Sequence, residues 1–118
     1  MKQAGIIGLL KDILESSDIA IGYLARCQKR EFLRNIEKQD AVLRRIEVIG
    51  EAARNLPLDF SAKYPQVEWS RIIATRNRLI HGYNQVDFEI VWQLVKSDLP
   101  ALRSRIEKIL EKEKEARR

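Results

Sequence analysis

Apolar residues recurring every three or four positions, in one stripe after another, commit this chain to helices packed side by side. In the first stripe Ile6, Leu10, Ile13, Ser17, Ala20, Leu24 and Cys27 keep that spacing, widened by Leu9, Leu14 and Ile21. One amphipathic helix is therefore predicted over about residues 3–28, with Gly22 and Tyr23 as weak points in its continuity. A polar segment follows from Gln28 to Lys38, with a short helical turn expected at Glu31 to Asn35. Asp40 stands where an N-cap belongs, ahead of a second stripe of Val42, Ile46, Ile49, Ala53 and Leu56. Gly50 falls on that apolar side, where a missing side chain lets another helix approach closely. Pro57 stops the helix, and Leu58 to Val67 reads as a connecting loop. A third helix is predicted from about Glu68 to Ile80. Asp87 can cap the next, whose stripe runs through Ile90, Val91, Leu94, Val95, Leu102, Ile106, Ile109 and Leu110. Pro100 must kink or divide it.

The pattern predicts an all-α fold, a small antiparallel bundle of four to five helices. At 118 residues there is chain for one core and one domain, 1–118. A hydrophobic share of 45% excludes a disordered chain. Lone Cys27 excludes an intrachain disulfide and a thiolate metal cluster, and neither a metal nor a cofactor is expected. Apolar runs fall short of the roughly 20 residues that span a bilayer, so a cytoplasmic location is the default.

The net charge of +5 is uneven. Residues 1–60 carry 10 basic and 9 acidic side chains and residues 61–118 carry 12 and 8, so +1 lies in the first half and +4 in the second. A basic half favours an anionic partner such as RNA. Part of it has a plainer reading, because Lys108, Lys112, Lys114, Arg117 and Arg118 alternate with glutamates. Residues 107–118 are accordingly expected to be an exposed charged helical tail.

The chemistry concentrates in Arg76-Asn77-Arg78-Leu79-Ile80-His81-Gly82-Tyr83, which holds the single histidine of the chain. At about 100° per residue, Trp69, Ile72, Ile73, Leu79 and Ile80 share one side of the third helix, and Arg76 falls in the middle of them. A buried unpaired guanidinium costs several kcal/mol. Arg76 must therefore be paired internally, snorkel to an edge, or face a ligand or a second subunit. Glu47 and Glu51, on the polar stripe Asp40, Arg44, Glu47, Glu51 and Arg54, are the internal candidates, and otherwise solvated i,i+4 partners. His81 lies five residues on, about 140° round the axis, so it shares no face with Arg76 in an unbroken helix. Asn77 and His81, at i and i+4, do share one. A joint arginine–histidine site needs a helix break near His81, for which Gly82 is suited, or a two-fold partner. Otherwise His81 is an ordinary helix cap.

The run RNRLIHGY reads Arg-x4-His-x-Tyr, and its setting has a resemblance. Together with QDAVLRRIEVIGEAARNL before it and VDFEIVWQLVKSDLPAL after it, nearly the whole chain resembles the HEPN superfamily, specifically the HepT toxins of MntA–HepT toxin–antitoxin systems. That resemblance implies an all-α homodimer with the motif near the dimer cleft. It also implies a metal-independent endoribonuclease, restrained by an MntA-like nucleotidyltransferase antitoxin that adds AMP to the motif tyrosine. By motif position, Arg76 and His81 are then catalytic, Asn77 supports them and Tyr83 is modified; apart from the motif, the polar stripe offers Glu47 or Glu51 to orient a catalytic group across the fold. The substrate is RNA, with tRNA and mRNA both open.

The residue types suit cleavage by a 2′-hydroxyl attacking the adjacent phosphorus, which leaves a 2′,3′-cyclic phosphate. Imidazole titrates near neutral pH and moves protons. A guanidinium stays charged and offers phosphoryl oxygens a two-pronged donor. One histidine does not readily serve as base and acid in one step, so a second His81 from a dimer is expected to complete the site. The competing expectation is a non-catalytic HEPN module that binds a nucleotidyltransferase or a nucleotide, with Arg76 at an interface and His81 as a cap.

Overall fold

The computed structural model describes residues 2–81 and 85–116, with the backbone alone for Ile80 and His81. These residues form α1 (Gln3–Leu24), α2 (Lys29–Phe32), α3 (Ile36–Asn55), α4 (Leu58–Lys63), α5 (Trp69–His81), α6 (Phe88–Gln93) and α7 (Leu99–Ala116). No strand occurs among them, and no described helix is long and apolar enough to cross a membrane. α1 is the central rod, packed on α3 along one side and on α7 along another, while α5 leans on α3. Leu10, Ile13, Leu24, Phe32, Val42 and Ile106 are wholly buried where these elements meet. The apolar stripes thus face one another, as their period requires.

Boundaries moved where side-chain chemistry outweighed the apolar pattern. α1 stops at Leu24 rather than near residue 28, and the Lys96 ammonium donates to the Leu24 carbonyl at 2.6 Å. That satisfies one of the acceptors a helix end leaves open. α3 begins at Ile36, not after Asp40: the Asn35 side chain accepts from the Lys38 amide at 3.0 Å. Asparagine caps as well as aspartate, and it comes first. The start was hidden because Ile36 is 71% exposed and belongs to no stripe.

The expected loop after Pro57 holds a helix, α4, which buries Phe60 and leads into buried Tyr64. Pro57 both ends α3 and precedes α4, since a missing N–H costs nothing where a helix begins. Asp87 caps α6 as expected, accepting from the Glu89 amide at 2.9 Å. Pro100 is accommodated by a π-helical turn, Leu94–Asp98, in which the Leu99 amide reaches back to the Leu94 carbonyl. The wider turn relieves the clash a proline ring makes with the carbonyl four residues earlier.

The end of α7 differs from a free tail. Ile109, Leu110 and Glu113 are buried. The Glu113 carboxylate accepts from Gln3 Nε2 at 3.3 Å, from Lys63 Nζ at 3.0 Å and from the Tyr64 hydroxyl. One acidic residue among the alternating charges turns inward and pins α7 to α1 and α4. The remaining charges up to residue 116 face out.

Candidate active site

α5 carries the motif and is the least covered of the long helices. Trp69 at its start is buried and donates from Nε1 to the Tyr64 carbonyl at 3.0 Å. Farther along, Ile72, Ile73 and Leu79 are only partly buried. Its apolar stripe is therefore only partly covered, with α3 as its main neighbour.

Arg76 sits where α5 crosses α3, over Gly50. A Cβ built on Gly50 would lie 2.2 Å from Arg76 Cβ and 2.3 Å from its Cγ, far inside van der Waals contact. Only a glycine lets the arginine stem rest against the α3 backbone. The close approach expected on the apolar side of α3 is thus made, and it is made by the motif arginine. Its side chain is 16% exposed, and the guanidinium pairs with Glu51, Nη2 to Oε2 at 2.9 Å. Nη1 donates to Asn77 Oδ1 at 2.9 Å. Nε is buried and meets no acceptor among the described residues. The charge in the apolar stripe is thereby paired internally, at the edge of the helix contact, as a buried guanidinium requires.

Of the two glutamates expected as partners, Glu51 takes the role. Glu47 instead pairs with Arg44 at 3.5 Å, both of them half exposed. A groove of about 290 Å³ opens beside this cluster, lined by Asp40, Leu43, Arg44, Glu47, Arg76 and Leu79. Asp40 and Arg44 were not expected here. The signal was present, since Asp40, Arg44, Glu47 and Glu51 recur at four- and three-residue steps along one strip of α3, but which helix that strip would meet is tertiary information.

α5 stays helical through His81. The positions of Arg76 and His81 are therefore about 140° apart round the axis within one protomer. The His81 side chain, the cap expected of Gly82 and the accessibility of Tyr83 lie outside the described residues. Within one chain the structure brings together Arg76, Asn77, Glu51 and Gly50, with Glu47 beside them in the groove.

Comparison with known proteins identifies the family. A family profile described as "Ribonuclease HepT-like" matches residues 13–109. A Methanocaldococcus jannaschii protein named as a "Putative RNase" is 40% identical over 110 residues, covering 93% of this chain and 91% of its own. A second from the same organism, under the same description, is 36% identical over 107 residues, covering 91% and 98%. The "Probable ribonuclease HepT" of Thermococcus cleftensis is 36% identical over 100 residues, covering 85% and 91%. No solved structure gives a significant match. Profile, relatives and an all-α fold lead to one assignment: the chain belongs to the HepT-like family of the HEPN superfamily.

Proposed function

We propose that this protein is an endoribonuclease that cleaves RNA without a metal, by 2′-hydroxyl attack that leaves a 2′,3′-cyclic phosphate, and that it works as the toxin of a type VII-like toxin–antitoxin pair. The observation that carries this reading is the seat of Arg76. A guanidinium held by Glu51 and Asn77 in a part-buried contact is preorganised, and fixed charge is what stabilises a developing phosphorane. The names of the relatives supply the reaction class.

Arg76 fixes charge on the phosphoryl oxygens, Asn77 holds the guanidinium in plane, and His81 transfers protons. Because α5 remains helical through His81, one protomer does not aim both positions at one phosphate. A homodimer with its two-fold beside α5 supplies the second His81, so that one imidazole serves as base and the other as acid. Ile73, about 120° round α5 from Leu79, is only partly buried and leaves apolar surface there for a second copy. Tyr83, two residues past His81, is the acceptor for AMP from an MntA-like nucleotidyltransferase. Nucleotide bulk and negative charge there would repel RNA.

The test compares wild-type protein with His81→Ala in growing cells and on purified RNA. Growth arrest and cyclic-phosphate ends with wild type, and neither with the variant, are expected. Equal growth and no cleavage by either would leave a binding module that pairs with a nucleotidyltransferase or binds a nucleotide. Tyr83→Phe should stay toxic when the antitoxin is co-expressed; silencing of that variant would place the regulation elsewhere.

A further inference from the structure

A second groove lies on the other side of α5 and has no part in the seat of Arg76. It runs between α5 and α6 with its π-helical turn, measures about 760 Å³, and has walls of Leu79, Val86, Ile90, Val91 and Leu94. That volume lies within the range of roughly 300–1,000 Å³ typical of small-molecule sites. Its rim carries Arg71 and Arg78 from α5 and Gln85 and Gln93 from the far side. Ile90 in its wall is 55% exposed, so the apolar floor is open to a ligand.

Arg71 and Arg78 are seven residues apart, which puts them on nearly one face of α5 and about 10 Å apart along its axis. Arg78 and His81 are three apart and so share a side of the helix, whereas Arg76 faces α3. The groove therefore adjoins the histidine end of the motif. Two acids lie in it as well. Asp87 is engaged as the cap of α6. Asp98 contacts Arg71 at 3.7 Å, and Glu68 reaches the same arginine at 3.6 Å. Both pairs are long and well exposed, so they contribute little and exchange readily for a phosphate. Amide side chains opposite the arginines are suited to the hydrogen-bonding edge of a base.

We infer that the α5–α6 groove is an RNA subsite holding a nucleotide that flanks the scissile bond, with Arg71 and Arg78 on its phosphates and Gln85 and Gln93 at the base. The inference rests on the ribonuclease reading and deepens it. A dinucleotide bridges only the cleavage point, whereas a longer oligoribonucleotide also fills the groove.

The test measures kcat/KM for both substrates with wild type, Arg71→Gln/Arg78→Gln and Arg71→Lys/Arg78→Lys. The glutamine pair should lower the preference for the longer substrate about tenfold while leaving dinucleotide cleavage unchanged, and the lysine pair should restore most of it. The slope of log affinity for the oligonucleotide against log salt should flatten by about 1.4, at about 0.7 per lost single-strand contact. Equal loss on both substrates, or an unchanged preference and slope, overturns the subsite and leaves the ribonuclease reading standing. Failure of the wild-type protein to cleave either substrate overturns both.

Discussion

At the residue scale the molecule turns on how one largely buried arginine is held at the crossing of two helices. Arg76 has Glu51 on one prong and Asn77 on another, and its stem lies against a glycine. Lysine would keep the charge and lose the fork. Arg76→Lys is thus expected to fold and to lose RNA cleavage by about 10²-fold or more, seen in kcat rather than in the melting temperature. Glu51 is 48% exposed, so solvent screens its share of the pair. Glu51→Ala should cost about 1 kcal/mol by denaturant titration, not the several expected of a buried pair, while Glu51→Gln keeps a hydrogen-bond acceptor and part of the activity. A larger loss for Gln than for Ala would mean that Glu51 does not position Arg76.

At the element scale, the α3–α5 crossing and the α6–α7 join are set by single residues. Gly50→Ala puts a methyl group where Arg76 Cβ and Cγ already lie, and neither is the far end of a flexible chain. The two helices must part, with an expected cost of about 1–3 kcal/mol and loss of cleavage, read by melting and by kcat on the same preparation. The close approach was legible because Gly50 interrupts an otherwise apolar face of α3. Its occupant was not, since a stripe shows which side is buried and says nothing of what lies across it. Pro100 follows the same logic. The sequence demanded an interruption, but the π-helical turn that meets the demand depends on how that turn and α7 keep packing on α1 while α6 packs on α2.

At the scale of the whole molecule, one buried carboxylate ties the end of the chain to its beginning. Burial by itself raises the Glu113 pKa, but hydrogen bonds from Tyr64, Lys63 and Gln3 outweigh it and hold the group below its ordinary 4.5. A depressed folded pKa contributes stability that is present above the unfolded value and lost as pH falls through the folded one. Acid titration should therefore weaken the fold below about pH 4.5, and Glu113→Gln should flatten that limb of the stability–pH curve. Tyr64 mirrors this at the alkaline end. Burial, and then the Glu113 carboxylate, push its hydroxyl up to about 12 from 10.0, so its contribution is complete below pH 10 and disappears between pH 10 and 12. Tyr64→Phe should remove the alkaline limb. Assembly belongs to this scale too. Mixing wild-type chains with His81→Ala and letting them re-equilibrate should lower cleavage as the square of the wild-type fraction, because each composite cleft needs two imidazoles. A linear decline would mean that each protomer works alone.

The sequence by itself determined the helical class, the apolar faces and the run that carries the chemistry, because periodicity and residue type are local properties fixed by the backbone repeat. It also required that Arg76 be paired internally, reach an edge, or face a ligand or second subunit, since a bare buried charge in an apolar stripe is costly. Tertiary structure alone decided that Glu51 and not Glu47 is that partner, that Glu113 and not its neighbours turns inward, and that Asp40 borders a groove instead of capping α3. The choice between Glu47 and Glu51 was between residues of one type on one strip of a helix. What separates such residues is the element that arrives opposite them, and that depends on contacts between segments far apart in the chain.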